Sequence, residues 1–147
     1  YNALLYSEEI VVPVAMDLMA IIGARQTLAG VEQVRELWPD RKLEVLAVLP
    51  TFVNTNTHAT RATLEALRQD ALMGPRLREP GIRQCIDLNY ATAQHLTIWE
   101  YSPKSRGAED YNRFLKYLKD RDRSEEGESV TEQRTETSAA AQVQAEI

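Results

Sequence analysis

Two short apolar runs, separated by one long helical period and each carrying a proline at its end, constrain this chain more than any other feature. Glu9-Ile10-Val11-Val12-Pro13-Val14 and Leu43-Glu44-Val45-Leu46-Ala47-Val48-Leu49 are short, aliphatic and rich in β-branched residues. Such runs are the signature of strands covered on both faces in a parallel sheet. Pro13 and Pro50 are expected at the C-terminal ends of these strands, because proline has no N–H to give to a ladder. Between them, Asp17 is placed to cap a helix reaching about Leu37, with Leu18, Ile21, Ile22, Leu28, Val31 and Val34 recurring at three- and four-residue spacing and Pro39-Asp40 as its stop. Strand, helix and strand in this order predict a right-handed crossover joining a parallel pair, and so an α/β fold.

The flanking segments extend that pattern. Tyr1 to Ser7 reads as the end of a helix without a beginning, so the chain is expected to be truncated at its N-terminus. Thr57 is expected to cap a helix running to about Leu72, with Leu64, Leu67 and Ala71 inward and Arg61, Glu65 and Arg68 outward. Gly74, Pro75, Pro80 and Gly81 mark a loop, and Ile82 to Ile86 reads as a third, shorter strand. Leu88 to His95 suits a helical turn or two, and Leu96 to Tyr101 looks extended. Ser102 or Ser105 then caps a final helix to about Arg121, with Ala108, Tyr111, Leu115 and Leu118 as its stripe. Beyond Arg121 large apolar residues almost vanish, which predicts a body over 1–121 and a disordered acidic tail over 122–147.

Charge is unevenly divided. Residues 122–147 hold two basic residues, Arg123 and Arg134, against seven acidic ones, which accounts for the whole net charge of -5. The body keeps 15 of the 17 basic and 15 of the 22 acidic residues and is neutral, so partners depend on how cations cluster on a face. No apolar stretch approaches the roughly 20 residues of a membrane-spanning helix and no signal peptide is visible, which predicts a cytoplasmic protein. The single cysteine, Cys85, cannot form an internal disulfide and sits in an apolar-leaning run suited to a buried core position. His58 and His95 have no partners at metal-ligand spacing.

Catalytic motifs are not found. There is no phosphate loop G-x-x-x-x-G-K-[ST], no dinucleotide fingerprint and no nucleophile elbow. Glu109 and Asp110 stand side by side at a helix start, where the helix dipole accounts for them. The loops after the strands, Pro13 to Asp17, Pro50 to Thr57 and Asp87 to Asn89, are expected on one rim, where open parallel sheets bind ligands. The same prolines, asparagines and threonines also serve to end strands and cap helices.

The segment Tyr101-Ser102-Pro103-Lys104-Ser105-Arg106-Gly107-Ala108-Glu109-Asp110-Tyr111 resembles the start of the C-terminal helix of ParA-type (Soj-like) partition ATPases. Asp17-Leu18-Met19-Ala20, Leu49-Pro50-Thr51-Phe52 and Thr97-Ile98-Trp99-Glu100-Tyr101 follow the family in order and interval, over about Tyr1 to Leu118. The resemblance implies the C-terminal half of a mostly parallel, doubly wound P-loop sheet of the deviant Walker A type. Members dimerise around ATP and Mg2+, bind DNA without sequence preference, associate with the nucleoid, and are stimulated by centromere-binding ParB-like partners in plasmid or chromosome partition. Phosphates, magnesium and the signature lysine belong to family segments upstream of position 1, so this chain alone is expected to hold no cofactor and to be inactive as an ATP hydrolase.

What the resemblance assigns to this half is the adenine side of the pocket, by position Thr51, Phe52, Asn54 and Arg83. Thr51 and Asn54 would hydrogen-bond a base and Arg83 would stack on it, although all of these residues equally suit loop building. For DNA, the remaining cations are Arg61, Arg83, Lys104 and Arg106, the last two beside a helix N-terminus, with Arg113 and Lys116 further along that helix. Asn56 and Asp87 stand where relatives carry basic residues, which predicts weakened DNA binding. The alternative reading is a noncatalytic remnant that packs on a full-length relative or a partition partner. A MinD-type membrane-positioning ATPase is disfavoured, because the C-terminus is acidic and not a basic amphipathic helix.

Overall fold

The computed structural model of the protein describes residues 2–124. Its first unit, Tyr1–Asp110, opens with α1 (Asn2–Tyr6), β1 (Glu9–Ala15), α2 (Leu18–Leu37), β2 (Glu44–Thr51) and α3 (His58–Gln69). A single 3-10 turn at Gly74–Arg76 then leads to α4 (Ile86–Ala93) and α5 (Ile98–Tyr101). Residues 106–110 are helical and begin α6. The architecture is mixed α/β around a two-stranded parallel sheet, as the strand, helix and strand pattern requires.

Register runs from Glu9 opposite Glu44 to Ala15 opposite Thr51, with one irregularity between Ile10 and Val11. Pro13 and Pro50 lie inside the strands and not at their ends, opposite Leu49 and Val14 respectively. Each strand borders only the other in this sheet, so a missing N–H breaks no second ladder. Pro50 still serves as an acceptor, its carbonyl taking the Ile82 N–H at 2.8 Å. Only β2 is buried on both faces, from Val45 to Pro50, whereas β1 alternates toward its C-terminal end, with Val12 and Val14 inward and Pro13 out.

Asp17 caps α2 by accepting the Ala20 N–H at 2.8 Å. The face that α2 buries is Ala24, Leu28, Val31 and Val34, which join Val12, Val14, Val45 and Val48 in the main core. Its first turn departs from the expected stripe, since Leu18 is 67% exposed. Thr57 caps α3 through the Thr60 N–H, and Leu64 and Leu67 face inward as expected. That helix stops at Gln69, short of Leu72, because the Asp70 carboxylate turns back to accept the N–H groups of Leu72 and Met73. Ala71 is consequently exposed, and Met73 fills the core in its place.

Two further expectations change. Ile82 to Ile86 forms no third strand: Arg83 makes one isolated bridge with Val53, and α4 already begins at Ile86. Leu96 to Tyr101 is not extended, because Thr97 and Glu100 form a reciprocal capping box that starts α5. Ser105, not Ser102, caps α6, its hydroxyl accepting the Ala108 N–H at 3.2 Å. Cys85 is buried, and Ala91, Ile98 and Ala108 make a second small core.

The second unit is Tyr111–Ile147, of which residues 111–124 are described and helical. Phe114 and Tyr117 stack within it at 6.2 Å between ring centroids. Residues 122–124 are helical and not part of a disordered tail, since no glycine or proline interrupts the sequence before Gly127. The remainder of the expected tail lies outside the described residues. Among the described residues, no helix is long and apolar enough to cross a membrane, and no group of three or more His, Cys, Asp or Glu could hold a metal ion.

Candidate functional site

The loop after β2 and the segment before α4 face each other across a cleft of about 380 Å3. One wall is Phe52 to Asn56, the other Arg83 to Ile86, with Asn89 of α4 and Arg106 of α6 completing it. A second cleft of about 430 Å3 shares Phe52, Asn54 and Gln84 and is lined also by Ala15 at the end of β1 and by Met16 and Asp17 after it. The loops after β1 and β2 therefore share one rim, as an open parallel sheet requires for ligand binding, whereas Asp87 to Asn89, expected as a loop after a third strand, lie within α4 and bring only Asn89 to the cleft.

Local geometry builds both walls. Buried Val53 donates its N–H to the Ile82 carbonyl at 3.0 Å and accepts the Gln84 N–H at 3.0 Å. Held between that bridge and buried Pro50, Phe52 adopts φ 53° and turns its ring outward, 62% exposed. A left-handed aromatic residue stores about 1–3 kcal/mol, which persists only where neighbours over-determine the backbone. Asn54 builds the loop tip: its Oδ1 accepts the Asn56 N–H at 3.2 Å and its carbonyl accepts the Thr57 N–H at 3.1 Å.

Arg83 is anchored at both backbone and side chain. Its N–H donates to Asp110 Oδ2 at 2.9 Å, its Nε to the same oxygen at 2.9 Å, and its Nη2 to Asp110 Oδ1 at 2.8 Å and to Glu109 Oε2 at 2.5 Å. Asp110 is 1% exposed, and with Glu109 it holds the guanidinium more firmly protonated than an ordinary arginine. A Cβ on Gly107 would stand 3.1 Å from Leu88 Cγ and 3.4 Å from Cys85 Sγ, so the start of α6 lies tight against α4, with Asp110 bonded to Arg83 of the cleft wall.

Of the residues expected at a base pocket, Phe52, Asn54 and Arg83 meet in the cleft, whereas Thr51 ends β2 opposite Ala15 and lines neither cleft. Of those expected at DNA, Arg106 lines the cleft. Arg61 is exposed on α3, with a long contact from Nη1 to the Thr55 carbonyl at 3.5 Å, and Lys104 is exposed in the turn before α6. Gln84 and Asp110 were not among the expected site residues, and Asn89 was expected only as part of the Asp87 to Asn89 rim. A neutral carboxamide leaves no periodic trace, and Asp110 looks like an ordinary first-turn acid until its partner 27 positions away is known. No family model matches the chain, and no curated protein matches it.

Chemically the cleft is rich in amides, with Asn54, Asn56, Gln84 and Asn89 beside one exposed ring. Carboxamides offer donors and acceptors together, which suits the edge of a planar heterocycle. ATP fits these residues at its base end alone. The chain has no phosphate loop, and the described residues hold no magnesium-type acidic cluster.

Proposed function

We propose that this chain is the C-terminal part of a ParA-like partition ATPase whose cleft after β2 receives the base end of a nucleotide. Support comes chiefly from the meeting of Phe52, Asn54 and Arg83 in one amide-lined cleft at the C-terminal rim of parallel strands. When bound, ATP supplies the phosphoanhydride to be hydrolysed and its magnesium ion balances the phosphate charge. The residues of this chain bind and orient: Phe52 offers a face, Asn54 and Gln84 an edge, and Arg83 a wall. In this reading the family's homodimer, ParB-like partner, nonspecific DNA and nucleoid association apply to the assembled ATPase.

The test is a titration of the isotope-labelled chain with adenosine, followed by backbone amide signals. Adenosine is expected to shift Phe52, Asn54 and Gln84, ribose 5-phosphate to leave them unmoved, and calorimetry with Mg-ATP to show no micromolar binding, since phosphate contacts supply most P-loop affinity. Adenosine that moves none of these signals overturns the reading, and so does tight binding of ATP through its phosphates.

A second reading, a noncatalytic interaction module, is favoured by the exposed apolar start of α2, where Leu18 and Met19 are 67% and 75% exposed. Binding of a hydrophobic dye and self-association of the purified chain are its expected signs, and a monodisperse monomer that binds no dye removes it.

A further inference from the structure

Arg83 lines the cleft, yet of the two edges with which a guanidinium grips phosphate, Nε with Nη2 is held by Asp110, and Nη2 of the other also donates to Glu109. Bidentate recognition uses two parallel N–H groups along one side of the fork. In Arg83 that side, Nε and Nη2, faces Asp110, with Glu109 adding a further acceptor to Nη2. Asp110 also holds the Arg83 backbone N–H, so the residue cannot swing its head away without leaving the main-chain contact behind. A phosphate taking this edge would part the guanidinium from a carboxylate only 1% exposed, and separating a buried charge from its counter-ion is strongly disfavoured. Arg106 lines the same cleft at the first turn of α6 and is exposed.

We propose that Asp110 is a specificity-determining lock: by occupying the Nε and Nη2 edge of Arg83 it withholds that arginine from phosphate, and opening the pair turns the cleft into an anion site. The lock rests on the reading of this cleft as a ligand site, and it deepens that reading by assigning the exclusion of phosphate to one carboxylate. Arg83 then contributes its flat face and its position, and anion contact at this rim falls to Arg106. Glu109, whose side chain is 66% exposed, also accepts from Nη2 at 2.5 Å but touches neither Nε nor the backbone N–H.

The test follows guanidinium N–H signals of the full chain by NMR while inorganic tripolyphosphate is added. Arg106 signals are expected to move, while the Arg83 Nε–H exchanges slowly and stays in place. Movement of the Arg83 signal at concentrations that move Arg106 overturns the lock. Asp110→Asn keeps the side-chain volume but turns a donor amide toward the fork. It is expected to tighten tripolyphosphate binding about tenfold, the worth of one charge-assisted contact, and to steepen the salt slope for duplex DNA by about 0.9. Arg83→Ala in the Asp110→Asn background should cancel both gains.

Glu109→Gln removes the same unit of charge and leaves the Nε and Nη2 edge held by Asp110, so it should give clearly smaller gains than Asp110→Asn. Equal gains from the two carboxamide variants mean that bulk charge alone is at work and sink the proposal. If Asp110→Asn does not fold, the titration of the unsubstituted chain decides by itself. Adenosine shifts report separately: their absence alongside a silent Arg83 removes the base-pocket reading while the lock stands, and the reverse pattern removes the lock alone.

Discussion

Gly81 lies directly against Pro50: a Cβ on Gly81 would stand 2.4 Å from the Pro50 carbonyl oxygen, and the glycine adopts φ +75°. The same carbonyl accepts the Ile82 N–H, so this close approach is what lays the Ile82 to Gln84 segment along the end of β2 and forms one wall of the cleft. Only glycine meets both the left-handed conformation and the space.

Gly81→Ala should therefore destabilise the protein by more than about 1 kcal/mol, because the native backbone is incompatible with a side chain. Urea denaturation measures the loss. The adenosine-induced shift at Gln84 should weaken in parallel, and a variant of unchanged midpoint would mean that the wall is not held in this way.

The main core predicts a sharp contrast between two leucines. Leu67 is fully buried beside Val48 and Met73, and Leu67→Ala should cost about 2–5 kcal/mol through lost burial and the cavity left behind. Leu18, two-thirds exposed at the start of α2, should lie within about 0.5 kcal/mol of the parent when changed to alanine. Comparable midpoints for the two variants would displace the core from where it is described.

Legibility in the sequence followed the range of the interactions. Asp17 and Thr57 were readable as caps because each bonds an amide three residues on, and the paired strands were readable from their own apolar runs. The same local grammar reveals α5 through the Thr97 and Glu100 box, but the apolar character of Leu96 to Tyr101 pointed to an extended segment instead. Ile82 to Ile86 has strand composition without a partner long enough to make a ladder, which no local pattern discloses. Of the cleft, the loop bearing Phe52 and Asn54 was legible as part of the rim after β2, whereas Arg83 was reached only through the family resemblance. The Arg83 to Asp110 pair, across 27 positions, was beyond any local rule.

Asp70 sets an acid limit. Burial pushes its carboxyl up, but the Met73 N–H, the Arg25 guanidinium and the Leu72 N–H outweigh burial and hold it below the ordinary aspartate value of 3.8. A carboxyl depressed in the folded state stabilises fully above the unfolded value and loses that contribution as pH falls toward the folded one. Melting temperature should be insensitive to this group between pH 7 and about pH 5 and should fall below about pH 4. Asp70→Asn should lower the neutral-pH melt and flatten that acid limb, and an unchanged acid limb would exclude Asp70 as its source.

For duplex DNA, the positions to change are Asn56 and Asp87. Asn56 is exposed and lines the cleft beside Arg106, while Asp87 is half-buried in the first turn of α4, near Cys85. Nonspecific affinity is electrostatic, and a chain of net charge -5 with a neutral body should bind duplex DNA weakly or not at all at physiological salt. Asn56→Arg with Asp87→Arg adds two cations and removes one anion, so binding should strengthen and the logarithmic salt slope should steepen by about 1.8 if both arginines reach phosphates. Fluorescence anisotropy with a labelled duplex across a salt series reads both quantities. Tight binding by the unsubstituted chain, or an unchanged slope in the double variant, would mean that the DNA face lies elsewhere on the molecule.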